Sequence, residues 1–213
     1  MFGGYLGDAA ALARKDLLLE LRARDTLPAM LLFVVGVLVV FRFAVPGVSD
    51  DTAGGLLWIA ILFTALLGIG RAFVAEREQG VLDGLVLAPC DRSAIWVGKV
   101  VATLAFLVAA QAVALPAYHL FFADVGVAAL AGFALADVGI CAVGTLVAAM
   151  AAAGRARELL LPLVFMPLAI PIVVGGVGAT IADDPGRYLA FLGLYDALFA
   201  ILAWASFEYV VTE

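Results

Sequence analysis

Charged residues are scarce in this sequence. Aspartate, glutamate, lysine and arginine make up 14% of its 213 residues, whereas a soluble domain carries roughly 25%. Hydrophobic residues make up 66%, and the mean hydropathy is +1.15. This composition excludes an ordinary soluble protein and predicts one membrane domain over residues 1–213. The net charge of −6 argues against nucleic acid as a partner, because phosphate backbones attract basic surfaces.

Catalytic and nucleotide-binding motifs are missing as well. Gly98-Lys99 is followed by Val100 instead of serine or threonine, which excludes a phosphate-binding loop for ATP at this place. There is no C-x-x-C-H, H-E-x-x-H or G-x-S-x-G motif, and the two cysteines, Cys90 and Cys141, lie in different segments. We therefore predict no enzyme activity, no catalytic residue, no metal site and no cofactor bound by this chain.

Histidine occurs once, as His119 near the end of an apolar run. One interpretation makes it an axial haem ligand, since imidazole binds haem iron. The other, which we favour, is a histidine at the membrane interface whose ring is satisfied by water or backbone groups.

Long apolar runs, by contrast, are abundant. Five of six runs are close to or above the ~20 residues that a helix needs to cross a bilayer. The second run is shorter, and we expect it to continue into the charged residues that follow it. The sequence therefore predicts an all-α polytopic membrane protein with six transmembrane helices. The predicted spans are residues 27–45, 54–69, 95–122, 125–153, 159–180 and 188–211.

The fifth run contains three prolines, Pro162, Pro167 and Pro171. An interior proline removes a backbone donor and kinks a helix. Two interpretations stay open: a kinked helix that still spans the membrane, or a segment that ends early and re-enters it. The second interpretation would change the number of spans to five or seven.

Residues 1–26 mix charged and apolar residues at helical spacing. The predicted apolar face of this amphipathic helix is made of Leu6, Ala10, Ala13, Leu17 and Leu21. Arginine, lysine and glutamate fill much of the remainder. We expect the helix to lie flat in the membrane interface.

Residues 70–94, here called the coupling segment, separate the second and third spans and are unusually rich in charge. Their inner part predicts an amphipathic helix that ends at Pro89, after which Asp91 or Ser93 caps the next helix. One interpretation is a docking surface for another protein; the other is a solvated loop. The predicted apolar face is Val74, Val81, Leu82 and Leu85, opposite Glu76, Gln79 and Asp83.

The basic residues predict the orientation of the chain. Ten of them fall on the side that carries both termini and the coupling segment, and only Arg42 and Arg187 fall on the other side. Cytoplasmic loops of membrane proteins are enriched in lysine and arginine. Both termini and the coupling segment are therefore predicted to be cytoplasmic.

Three polar residues lie within predicted spans: Asp137, Asp196 and Gln111. Polar groups at this depth are costly and usually face the interior of a helix bundle or a cavity. One interpretation places them on a substrate path. The alternative, which we favour for the aspartates, is a neutral carboxyl that is hydrogen-bonded to a neighbouring helix.

Three blocks of this sequence resemble the CcmB family, haem exporter protein B. They are RKDLLLELRARDTL at residues 14–27, LLGIGRAFVAEREQGVLDGLVLAPCDRSAIWVGK at residues 66–99, and RARELLLPLVFMPLAIP at residues 155–171. The resemblance covers essentially the whole chain, and the middle block is its most specific part. It implies a permease subunit of an ABC transporter used in cytochrome c maturation, located in the cytoplasmic (inner) membrane of a prokaryote.

The resemblance also implies partners and site residues. A separate CcmA-like ATPase subunit would bind ATP and drive a pair of permease chains, together with a CcmC-like haem-handling protein and a CcmD-like small protein. Haem would be the molecule transported or handled. The alternatives are an ABC-2 type permease for a lipid or drug, or a non-transporting membrane scaffold. The residues matched to the coupling motif, here called the coupling set, are Glu76, Arg77, Glu78, Gly80, Asp83, Gly84, Pro89, Asp91, Arg92, Ser93, Gly98 and Lys99.

Overall fold

The computed structural model describes residues 4–73, 90–153 and 157–212, and these residues form seven helices without a strand. Their bounds are α1 Tyr5–Ala23, α2 Thr26–Ala44, α3 Asp50–Gly70, α4 Arg92–Phe121, α5 Val127–Ala153, α6 Arg157–Ile181 and α7 Gly186–Thr212. The six helices from α2 to α7 are long and apolar enough to cross a membrane, which confirms the predicted all-α class. With 30 residues, α4 is about 45 Å long and exceeds the ~30 Å hydrocarbon core.

The second span differs from its prediction. Helix α3 gains its extra length at its beginning, where it starts at Asp50, and it ends at Gly70 without entering the charged residues. The hydroxyl of Ser49 accepts a hydrogen bond from the Thr52 amide, and two aspartates lie in the first turn. Capping and the helix dipole both favour a start at this place. The predicted continuation into the coupling segment was therefore wrong.

The three prolines of the fifth run lie inside a single helix, α6. The interpretation with a re-entrant segment is therefore wrong, and the count of six spans stands. The glycines that follow allow close packing: a Cβ atom at Gly176 would collide with the Trp58 indole of α3. That indole donates to Thr180 Oγ1 at 2.9 Å and stacks on the Phe133 ring of α5.

Helix α5 is the centre of the bundle, since it packs against α3, α4, α6 and α7. Helix α2 lies at the edge, where it packs against α3 and α4. Its buried residues are one narrow stripe at every fourth position, Thr26, Met30, Val34 and Leu38. The side of α2 that faces away from the bundle is apolar and exposed, as expected for contact with lipid.

The first and last described residues lie at the same end of the bundle, here called the terminal end. It contains α1, the end of α3, the beginning of α4 and the last turns of α7. The beginnings of α2 and α6 and the end of α5 lie there too, because the six spans alternate in direction. The opposite end contains the short connections at residues 45–49, 122–126 and 182–185.

Helix α1 packs along the first turns of α4, and the face that makes this contact shares only part of the predicted one. Ala9 and Ala13 are buried, whereas Leu6 and Leu21 are exposed. Leu6 and Leu21 of the predicted face lie beside the contact and are left open, whereas Leu17 is half-buried. The helix thus has a protein-facing side that apolar periodicity alone did not identify.

Candidate functional site

Five members of the coupling set lie within the described residues: Asp91, Arg92, Ser93, Gly98 and Lys99. All five are at the terminal end, on the residues that begin α4. The other members, and the predicted amphipathic helix between the second and third spans, lie outside the described residues. They are Glu76, Arg77, Glu78, Gly80, Asp83, Gly84 and Pro89.

Asp91 caps α4 and starts a polar network that reaches two other helices. Its carboxylate accepts hydrogen bonds from the amide and the hydroxyl of Ser93, at 2.9 and 2.7 Å. The Ser93 and Tyr5 hydroxyls lie 3.1 Å apart, and the Trp204 indole of α7 donates to the Tyr5 oxygen at 3.2 Å. The beginning of α1 is therefore fastened where α4 and α7 meet. Of the two predicted caps for α4, Asp91 is the one used.

Arg92 makes a surface contact of another kind. Its guanidinium lies 3.1 Å from the carboxylate of Glu208 on α7. The two side chains are 38% and 62% exposed, and an exposed ion pair contributes little to stability because water screens it. Arg92 therefore keeps part of its charged group open to another molecule.

Gly98 brings α1 and α4 into close contact. A Cβ atom at this position would lie 2.8 Å from Leu12 Cβ and 3.0 Å from the Ala9 carbonyl oxygen. Real side chains do not approach a backbone oxygen so closely, so residues larger than glycine would force α1 away from α4. In this structure Gly98 serves contact within the chain.

Lys99 lies buried at the junction of three helices. Its ammonium group lies 2.9 Å from Asp16 Oδ2 of α1, donates to the Ala72 carbonyl oxygen at 2.6 Å, and lies 5.0 Å from the centre of the Phe73 ring. The side chains of Lys99 and Asp16 are only 6% and 11% exposed. Lys99 therefore ties α1 and α4 to the chain just after α3.

Glu20, one turn beyond Asp16, caps a different helix. Its carboxylate accepts hydrogen bonds from the amides of Thr26 and Leu27, at 2.7 and 2.8 Å. These amides open α2 and have no partner within their own helix. Only Arg24 and Asp25 separate α1 from α2, and Arg24 adopts a left-handed conformation with φ of 57°. The short turn and the cap together make a rigid corner between the two helices.

A cleft of about 170 Å³ opens beside these contacts. Asp16, Glu20 and Lys99 line it together with Arg71 and Phe106. Its walls come from α1, α2, α3 and α4, so the elements that meet at Lys99 are not fully packed against one another. The cleft leaves room for small changes in side-chain size at Asp16.

The three polar residues predicted within the spans, Gln111, Asp137 and Asp196, lie at two separate sites in the bundle. Gln111 of α4 donates to Asp137 of α5 at 2.7 Å, so this carboxyl has its hydrogen bond from a neighbouring helix. Asp196 of α7 is also buried, but neither of its oxygens has a hydrogen-bond partner within the described residues. It packs against Gly139 of α5, where any Cβ atom would collide with Asp196 Oδ1. Asp137 is thus paired with α4, whereas Asp196 reaches α5 from α7 at a separate place.

His119 and Cys90 lie outside these clusters. The His119 ring nitrogen Nδ1 lies 2.7 Å from Asp124 Oδ1 at the opposite end, where both side chains are exposed. Cys90 immediately precedes the cap of α4, and burial raises the pKa of its thiol, with further increases from the negative charges of Asp8 and Asp91. Within the described ranges no group of three or more potential metal-binding side chains is found.

Comparison with known proteins decides the family. A family model described as CcmB protein matches residues 8–208. The chain belongs to the CcmB family. Heme exporter protein B of Paracoccus denitrificans is 30% identical over 207 residues, which cover 92% of this chain and 94% of that protein. Heme exporter protein B of Bradyrhizobium diazoefficiens is 28% identical over 179 residues, with 80% of each chain covered. The protein of the same name from Pseudomonas aeruginosa is 28% identical over 184 residues, covering 82% of this chain and 81% of its own length.

In this CcmB family member, the sequence pointed to Gly98 and Lys99 but not to the residues that meet them. Asp16 and Glu20 were missed because charged residues on an amphipathic helix are normally assigned to its solvent side. A signal was available in their spacing. Ala9, Ala13, Asp16 and Glu20 follow one another at intervals of three or four, so they share one face of α1.

Proposed function

We propose that this chain is the permease subunit of an ABC transporter that exports or delivers haem during maturation of c-type cytochromes. The observation that carries the proposal is the CcmB family match over residues 8–208, together with relatives named heme exporter protein B. The six spans supply a membrane-embedded body. ATP hydrolysis then belongs to a partner, because the sequence has no phosphate-binding loop of its own.

In this proposal the terminal end faces the cytoplasm, and a CcmA-like ATPase docks there on the coupling segment. ATP-driven closure of two ATPase subunits displaces the coupling segments of two permease chains. Because the segment joins α3 to α4 directly, the displacement biases the bundle between two arrangements. CcmC-like and CcmD-like proteins complete the complex and handle haem, which is substrate here. Asp137, Asp196, Gln111 and His119 are the candidates for polar contact along its route.

The first test is complementation. A strain that lacks its own CcmB family member is supplied with this chain, and its covalently haem-stained c-type cytochromes are quantified. Restored cytochromes, and co-purification of an ATPase whose activity depends on this chain, are the expected results. A complemented strain without c-type cytochromes, despite normal membrane levels of the chain, would contradict haem delivery. Absence of any associated ATPase would contradict the ABC transporter assignment.

A second test addresses the coupling set. The double substitution Glu76→Ala with Arg77→Ala is expected to leave the chain in the membrane and reduce cytochrome yield while ATP hydrolysis continues. The charged residues would give register to the docked ATPase, and their loss would separate hydrolysis from movement. The yield and the hydrolysis rate are measured on the same membranes. An unchanged yield would remove these two residues from the coupling set.

A further inference from the structure

The contact between α1 and Lys99 is a buried ion pair, which the packing of two helices does not by itself require. Two opposite charges are held 2.9 Å apart with almost no exposure. Removing both from water costs several kcal/mol per ion, and their attraction often does no more than offset this cost. A buried ion pair is therefore weak evidence for stability. Its best-attested contribution is to fix one register between the elements that it joins.

Lys99 and Glu20 connect the end of α3, helix α1 and helix α2 one after another. Lys99 holds the Ala72 carbonyl oxygen and the Phe73 ring, which are the last described groups before the chain continues through the coupling segment. The same ammonium holds Asp16 of α1. One turn further along α1, Glu20 holds the first amides of α2. A displacement of the chain beyond Phe73 is therefore transmitted through Lys99 to Asp16 of α1.

The turn between α1 and α2 connects the movement of α1 to that of α2. Only Arg24 and Asp25 lie between the helices, and the Glu20 carboxylate binds the first α2 amides, so a tilt of α1 acts directly on the beginning of α2. Helix α2 contributes one narrow stripe of fully buried residues, with half-buried Leu31, Val35 and Val37 beside it. Its main contacts are with α3 and α4 at the edge of the bundle, so a shift of α2 disturbs fewer helices than a shift of the central α5.

We propose that Asp16 and Lys99 are positioning residues for transport. Their ion pair, here called the lock, holds α1 against the chain that leaves α3. Movement of the coupling segment is thereby transmitted through α1 to α2. Neither residue contacts the ATPase or the substrate in this role. The coupling step rests on the proposed function, whereas the lock itself does not.

The variants follow from the geometry. Asp16→Asn and Lys99→Met each remove one charge of the lock. Lys15→Met is the matched control, because Lys15 also lies 3.0 Å from an Asp16 oxygen but is 37% exposed. Asp16→Glu keeps the charge, and the adjoining cleft has room for its extra methylene. The double variant Asp16→Asn with Lys99→Met removes both charges together, which avoids leaving one buried ion behind if a single variant accumulates poorly.

The lock is tested without any partner. Spin labels are placed at the exposed positions Arg22 and Arg71 of the full chain, with Cys90→Ser to remove the half-buried thiol, and the distance between labels is measured by pulsed electron resonance. The parent, Lys15→Met and Asp16→Glu are expected to give one narrow distance distribution. Asp16→Asn, Lys99→Met and the double variant are expected to give a broad one. Equal distributions in all variants would overturn the lock.

Coupling is tested in the complex with its ATPase, as cytochrome formed per ATP hydrolysed. Variants that break the lock are expected to lose about fivefold or more of this ratio while hydrolysis stays near the parent rate; a merely destabilised chain would lose both in proportion. Asp16→Glu is expected to keep the parent ratio. A broad distance distribution with an unchanged ratio would overturn the transmission through α1. If the parent complex itself neither binds an ATPase nor forms cytochrome, the proposed function fails, and the distance measurement still decides the lock.

Discussion

Two glycines are important in this protein because they let a helix or a side chain come close to their own helix. Gly98 lets α1 approach α4, and Gly139 lets the Asp196 carboxyl lie against α5. Both glycines look like ordinary small residues in the sequence. Their importance depends on side chains that arrive from helices far away along the chain, so no local pattern could reveal it.

Gly139→Ala is expected to destabilise the protein, because the added methyl group would overlap Asp196 Oδ1. Overpacking of this kind costs about 1–3 kcal/mol. The matched control is Gly193→Ala on α7, where a Cβ atom would meet nothing within 4 Å. Thermal unfolding of the detergent-solubilised chain, followed by tryptophan fluorescence, measures the difference. Equal unfolding temperatures for the two variants would contradict the close approach of Asp196 to α5.

Cys90 gives a prediction about pH. Burial first, and then Asp8 and Asp91, raise the pKa of its thiol, so less thiolate is present at a given pH than in an ordinary cysteine. Because the thiolate is the nucleophile, maleimide labelling at pH 8 is expected to be slow and to accelerate as pH rises. Asp8→Asn removes one negative charge, lowers the pKa of the Cys90 thiol and should raise its labelling rate.

The control for this measurement is Asp25→Asn, since Asp25 is not among the groups that shift the Cys90 thiol. Its labelling rate should match the parent chain at every pH. Labelling of the Asp8→Asn variant that is slower than the parent would show that the charge of Asp8 does not act on Cys90.

At the scale of elements, α1 is the helix whose role changes most once its contacts are known. Its composition suits an interfacial helix, and the exposed leucines remain available for lipid. The face with Ala9, Ala13, Asp16 and Glu20, however, is committed to the protein. Helix α1 therefore belongs to the packed bundle and is more than an anchor.

The corner between α1 and α2 makes a prediction at this scale. Glu20→Ala removes the acceptor for the first amides of α2, and loss of a cap costs about 1 kcal/mol. The Thr26 and Leu27 amides should then exchange with deuterium faster than in the parent. Asp25→Ala is the control, because Asp25 occupies the capping position without making a side-chain cap. Similar exchange in both variants would contradict the capping role of Glu20.

At the scale of the whole molecule, the number and type of the helices could be predicted from the sequence. Span positions follow from runs of apolar residues, since a bilayer imposes one length on every crossing. The start of α3 was misplaced because Asp50 and Asp51 look unlike membrane residues, although they are suited to the first turn of a capped helix. The continuity of α6 could not be decided locally, because proline-rich helices depend on neighbours that support them.

Only the α4 residues of the candidate site could be picked out from the sequence, and their partners on α1 could not. Lys99 and the residues near it stand out as a motif, whereas Asp16 is separated from Lys99 by two spans. Pairing between distant residues depends on helix packing, and a pattern of three or four residues carries no information about it. The coupling set therefore stays a prediction from the motif, and the sequence did not reveal the contacts that hold its described members.

Orientation is testable on the whole molecule. We expect single cysteines at Arg22 and Arg71, both at the terminal end, to react with a membrane-impermeant maleimide only from the cytoplasmic side. A cysteine at Asp124, at the opposite end, should react only from the outside. The excess of basic residues at the terminal end is the physical reason. Labelling of Arg22 and Asp124 positions from the same side would contradict six crossings.

The lock between Asp16 and Lys99 also constrains the order of biosynthesis. Helix α1 leaves the ribosome long before α4 is made, and at that time its two inward-facing acids have neither a lysine nor the amides of a packed α2. The contacts of α1 with Lys99 can therefore form only after α2 and α3 have been made and α4 has begun. A nascent chain that stops before Lys99 leaves the Asp16 carboxylate without its buried partner.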